Sequence, residues 1–216
     1  MALAFDAATD GNVAGGNTKT VSHTMGAGAN GVLYAFFMWR KTTNSPTSPS
    51  ATWNGDAMTA LDTSNNALNR GISGFVIYAP DSGTHNCVVS WTENTNAAIA
   101  VVSFTGAAQT AGYGTIAASS GNDTTPTMSV TGVVGGIILD SVVIDWSAGQ
   151  TLTVDGSQTQ RTQENATTCL GATSTEAGAA NVTMSWSASN TNNWRNLGFC
   201  VLPFPSGGQY ISWTSE

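Results

Sequence analysis

Asp140 and Asp145 stand five residues apart in one apolar run, GIILDSVVID, and are the carboxylates to test first for acid–base chemistry. Glycoside hydrolysis, the reaction such a pair would serve, needs two carboxyl groups facing each other across a groove, ~5–10 Å apart. Side chains alternate along a strand, so an odd spacing sends these two to opposite faces. No E-x-D-x-x-E pattern is present. Asp56, Asp62, Asp81, Asp123 and Asp155 fall in turn contexts, where Asp is favoured because it bonds its own backbone. Ser and Thr are abundant, yet none sits in a G-x-S-x-G elbow between strand and helix. The expectation is a protein that is not an enzyme.

Metal chemistry would have to use His23 and His85 with Asp6 or Asp81. Two histidines on separate segments without paired spacing read more simply as hydrogen-bonded strand residues. Asp10-Gly11-Asn12 and Asp62 to Asn66 (DTSNN) are Asx-rich, but neither has EF-hand spacing. The Gly-rich stretch GAGANG, Gly26 to Gly31, lacks the Lys of a phosphate loop and leads into an apolar strand. No metal or cofactor is expected.

Binding is the chemistry left, and it turns on the aromatics. Trp91 and Trp186 share the apolar parity of their segments, NCVVSW and NVTMSW, and read as core. Trp194 follows the polar run Asn190 to Asn193, which reads as a loop; a Trp there would stack on a sugar or bury against a neighbouring subunit, and the second use is preferred. The N-terminus carries Leu3 and Phe5. The tail after Pro203, FPSGGQYISWTSE, carries Phe204, Tyr210, Ile211 and Trp213 beyond a Gly-Gly hinge. This tail is either a last edge strand or an arm that adds to a partner. Leu3, Phe5, Trp194, Tyr210, Ile211 and Trp213 are the candidate partner contacts.

Composition narrows the partners. Only 9% of residues are charged, against about 25% for an ordinary soluble domain. Thirteen acidic and six basic residues give a net charge of −7, and the basic ones are scattered apart from Arg40-Lys41, so neither nucleic acid nor a membrane surface is an expected partner. The first residues lack the pattern of a secretory signal and no apolar run has membrane-span length. The expectation is synthesis in a cytoplasm, where the protein stays or which it leaves as part of an assembly, with Cys87, Cys169 and Cys200 as reduced, buried thiols.

The elements that must position these residues read as strands. Val32 to Trp39 is apolar without a break, the mark of a strand covered on both faces, while Asn181 to Trp186 alternates. Asn54-Gly55 and Asp155-Gly156 suit two-residue type I′ hairpins. The chain is also written twice. Gly31–Trp39 matches Gly136–Ile144, Asn54-Gly55 matches Asp155-Gly156, Asn86–Trp91 matches Asn181–Trp186, and Phe104 matches Phe199, at offsets of 105, 101, 95 and 95. These signs predict an all-β, antiparallel two-sheet sandwich of jelly-roll type. It would be one domain over 1–216 with pseudo-repeats at about 18–105 and 127–203 and an arm or edge strand at 204–216.

The succession TVSHT, WNGDAMT, FVIYAP, NCVVSW, AIAVVSFTGAAQT and NVTMSW, spanning Thr18 to Pro203, resembles a broad group of β-sandwich proteins of tailed bacteriophages and bacteria. The group includes virion structural proteins and lectin- or glucanase-like jelly rolls. The resemblance implies a particle component, foremost a capsid decoration (cement) protein located in the virion. It would bind the major capsid protein or another virion protein and form homo-oligomers, a trimer among them. The alternative it implies is a carbohydrate-binding tail-fibre or adhesin module that recognises host glycans.

Overall fold

A computed structural model describes residues 1–41, 46–65 and 69–205, with the side chains of 62–65 left aside. It is all-β and antiparallel. Its strands are β1 (Ala4–Met25), β2 (Val32–Arg40), β3 (Ser50–Trp53), β4 (Asp56–Ala57), β5 (Thr59–Asn65), β6 (Arg70–Tyr78), β7 (Gly83–Thr105) and β8 (Ala117–Asp123). There follow β9 (Thr127–Val130), β10 (Ile137–Asp145), β11 (Leu152–Val154), β12 (Thr159–Ala166), β13 (Cys169–Ala177), β14 (Val182–Ala188) and β15 (Asn192–Val201).

Three sheets form where a single pair was expected: seven strands ordered β4-β3-β7-β2-β6-β5 with β1 along β7, five ordered β12-β13-β10-β15-β8, and three ordered β11-β14-β9. One connectivity nevertheless runs through both halves. The central strand β2 lies between β6 and β7 as β10 lies between β13 and β15; β5 flanks β6 as β12 flanks β13; β3 flanks β7 as β11 flanks β14. In this scheme β1 corresponds to β8 plus β9, and β7 to β14 plus β15.

The first half stays one sheet because it bends without breaking. Opposite β7, β1 slips register on both sides of Gly16, next to Gly15 at φ +77°; such bulges bend a strand and raise its twist. The N-terminal part of β7 thereby folds over its C-terminal part, and Cys87, Val89 and Trp91 meet Ala97, Ile99 and Val101 in one apolar cluster with Leu33, Phe37 and Trp39. In the second half the strands are interrupted at the same corner, between Asp123 and Thr127 on one side and between Ala188 and Asn192 on the other. Backbone bonds Trp186 N→Pro126 O (2.9 Å) and Ala188 N→Thr124 O (2.8 Å) carry the pairing past it.

The halves pack back to back as an internal pseudo-dimer. β2 lies against β10, β6 against β15 and β13 against β7, a reciprocal pattern in which equivalent strands swap roles, as at a two-fold interface. This explains the unbroken apolar run of β2: Tyr34, Phe36 and Met38 enter the shared core while Leu33, Phe37 and Trp39 enter the first half's own. In the shared core the Phe199 ring sits 5.0 Å from Tyr34 and 6.3 Å from Phe36. Phe104 and Phe199 face the same way but are not register equivalents: Phe104 pairs with Val32 at the start of β2, and Phe199 with Leu139, two positions into β10.

Of the two expected hairpins, Asn54-Gly55 has both residues at positive φ (50° and 94°) and joins β3 to β4. Asp155 does not. Only Gly156 has positive φ there, and the turn, closed by Gln158 N→Asp155 O at 3.4 Å, leads to β12, which pairs with β13 and not with β11. The Asp155 carboxylate instead accepts bonds from the Ser185 and Ser187 hydroxyls across the sheet, which holds it out of the left-handed turn.

Candidate functional site

Asp140 and Asp145 do point to opposite faces of β10. Asp140 is wholly buried toward the three-stranded sheet, where it accepts bonds from Ser174 N (3.1 Å), the Ser174 hydroxyl and Trp186 Nε1 (2.8 Å). Ser174 Oγ in turn accepts from Gln158 Nε2 (2.8 Å), whose Oε1 takes the Ser185 amide. Burial pushes the Asp140 carboxyl up to about 6, against the pull of its Ser174 and Trp186 donors. This acid is sealed from any substrate. Asp145 faces the seam between the halves and is committed to Arg40 and Arg70.

The first half has its own buried polar chain. His23, 1% exposed, lies between Thr9 Oγ1 (2.9 Å from Nδ1) and Ser103 Oγ (3.0 Å from Nε2), and Ser103 donates to Asp6 Oδ2 at 2.7 Å. Because the Ser103 proton goes to Asp6, its oxygen accepts from His23 Nε2–H, which leaves Nδ1 to accept from Thr9. Burial depresses the imidazole to about 4, outweighing the attraction of Asp6. Both nitrogens are thus occupied. His85, the cross-strand partner of His23, places its ring on the other edge of Trp53, 5.5 Å away. Among the described residues no group of three or more metal-ligating side chains converges.

Trp194 is not on a loop. It lies in β15, 4% exposed, with Nε1 donating to Asp123 Oδ1 at 3.0 Å and its ring over Gly121. The Asn-rich run before it is a loop only at Asn190 and Thr191; Asn192 and Asn193 are in the strand with their amides bonded, Asn192 to Gln150 and the Asn190 carbonyl, Asn193 to Asn122 and Asp145. Phe5 is half-buried against Phe104 at 6.0 Å, and the Arg161 guanidinium lies 3.8 Å above its ring. Tyr210, Ile211 and Trp213 fall outside the described residues.

Leu3 belongs to a different setting. With Met1, Ala2, Val134, Gly135, Pro203, Phe204 and Pro205 it lines a surface groove of about 720 Å³. Among the described residues the exposed large apolar side chains are Val134 (90%), Met1 (65%), Val133 (45%) and Phe204 (40%), and all four lie at this one end. The two valines were missed in the sequence. Their signal was legible: an apolar pair within GVVGG, where turn chemistry asks for polar residues.

The described residues form an all-β, antiparallel fold with this apolar groove at one end. No family model matches the chain, and no characterised protein is similar enough in sequence to count as a relative.

Proposed function

We propose that the protein is a structural component that docks its terminal end on a larger assembly. The observation carrying this reading is the gathering of Met1, Val134 and Phe204 around one groove, with Val133 next in the chain, while the other large apolar side chains among the described residues are buried or half-buried. A monomer gains nothing by exposing them, and contiguous exposed apolar surface marks interaction sites. In its specific form the assembly is a tailed-phage particle and each half is a jelly-roll relative. The protein then acts as a cement protein on the major capsid protein or another virion protein, beside further copies of itself. It stabilises by binding the assembled state in preference to the free one.

Cosedimentation with purified particles tests this. The full chain is expected to pellet with particles; Val134→Asp, and a chain lacking Tyr210 to Glu216, are expected to stay in the supernatant with unchanged circular dichroism. Equal pelleting of Val134→Asp would remove the assignment. The glycan-binding alternative needs an exposed aromatic platform; among the described tryptophans Trp39, Trp53, Trp91, Trp186 and Trp194 are buried and Trp146 is half-buried, so it has the weaker support.

A further inference from the structure

At the other end of β2 and β10, three of the chain's six basic residues meet: Arg40, Lys41 and Arg70. Arg40 and Arg70 are direct cross-strand partners, an arrangement that repels. One carboxylate serves both. Arg70, 3% exposed, grips Asp145 with Nη2 (2.7 and 2.8 Å to the two oxygens) and Nε (3.2 Å), and Arg40 Nε lies 2.7 Å from the same Oδ1. Lys41 is matched by Glu93 at 2.8 Å. Three cations therefore face two carboxylates, in a protein whose overall charge is −7. Buried Arg70 Nη1 has no acceptor among the described residues.

Beside this pair opens a cavity of about 190 Å³ lined by Arg40, Lys41, Asn94, Thr95, Asn96 and Thr168. Its rim spans both halves, since Asn96 donates to Thr168 Oγ1 at 2.9 Å. The Arg40 side chain is 28% exposed there, with its Nε turned to Asp145. A guanidinium presents five donors in a planar fork.

We infer that this seam is a binding site for a small oxyanion, a carboxylate or phosphate group, held by Arg40 with Lys41 and the amide and hydroxyl lining. The incoming anion supplies the second negative charge that the Arg40–Asp145–Arg70 cluster lacks. The site is independent of the docking end, which lies at the opposite end of the same strands.

The test titrates the full chain with inorganic phosphate and, separately, with an end-blocked glutamate at constant ionic strength, following the side-chain Nε–H NMR signals of Arg40 and Arg70. Saturable shifts are expected with at least one anion. Arg40→Gln should weaken binding about tenfold or more, the loss of one charge-assisted hydrogen bond, and Lys41→Gln should weaken it less. Tighter phosphate binding would identify a free oxyanion, and tighter glutamate binding a carboxylate carried by a partner. The inference fails if neither anion saturates, or if Arg40→Gln and Lys41→Gln, both folded by circular dichroism, titrate as the wild type does.

Discussion

The two halves solve one topological problem with different materials. Each must close a sheet over its central strand, and each places a polar network where purely apolar packing would have served. The first half builds its network on a neutral imidazole, His23, with Thr9, Ser103 and Asp6; the second on a carboxylate, Asp140, with Ser174, Gln158 and Trp186. Their shared face is unequal too. Half one brings the rings of Tyr34, Phe36 and Phe104, and half two meets them with aliphatic residues and the single ring of Phe199. What was kept between the halves is connectivity and side-chain parity. The chemistry of the buried polar groups differs, so the same topology accommodates a hydrogen-bonded network built from different residues.

Breaking the shared face should have the largest effect. Phe199→Ala removes the ring that touches Tyr34, Phe36 and Tyr113, and a buried Phe→Ala change costs about 3–5 kcal/mol. A urea titration should show the midpoint falling accordingly.

The two networks should then respond to pH with opposite signs. His23 titrates near 4 in the fold and near 6.5 unfolded. Its stability contribution is complete above about 6.5 and is lost as pH falls toward 4, roughly 3 kcal/mol in all. Burial pushes the Asp140 carboxyl up to about 6 in the fold, above the ordinary Asp value of about 3.9. The folded state therefore holds this proton more tightly, so stability declines as pH rises from about 4 to 6, again by roughly 3 kcal/mol. Across that window the two trends offset one another in the wild type. His23→Asn should expose the Asp140 slope, with the urea midpoint higher at pH 4 than at pH 6, and Asp140→Asn should expose the reverse. Parallel profiles in the two variants would show that the networks are not distinct titrating units.

Much of this was legible in the sequence, and the failures have physical causes. The unbroken apolar run marked β2, and the runs Ile137–Leu139 and Val142–Ile144 on either side of Asp140-Ser141 marked β10, because a strand between two layers buries both faces; the alternation in NVTMSW marked a strand covered on one side. The number of sheets was not legible. Whether a corner bends through a bulge, as at Gly15–Gly16, or breaks, as at Thr124–Pro126, depends on long-range pairing that short-range patterns do not encode. The register offset of Phe199 was missed because parity survives a two-residue slip. Asn192 and Asn193 read as part of a loop because sequence cannot show that each amide finds a partner. Of the proposed surfaces, the Val133-Val134 pair stood in plain view. The approach of Arg70 to Arg40 did not, since thirty residues and a strand pairing separate them.

The corner itself offers the finest comparison. Gly15 at φ +77° occupies a region where an L side chain costs about 1–2 kcal/mol, and a Cβ there would lie 3.2 Å from Asn94 Oδ1. Gly15→Ala should therefore cost about 1 kcal/mol or slightly more. In the second half the corner residues Thr124 and Thr125 have no positive φ, and Thr124 contributes its carbonyl to Ala188, a group that any residue supplies. Thr124→Ala should accordingly shift the midpoint by less than about 0.5 kcal/mol, the range of an ordinary surface change. If the two substitutions cost the same, the bulge is not what keeps the first half one continuous sheet. The difference between the corners would then lie in the tertiary packing of Trp91, whose Nε1 donates to the Gly16 carbonyl at 3.0 Å.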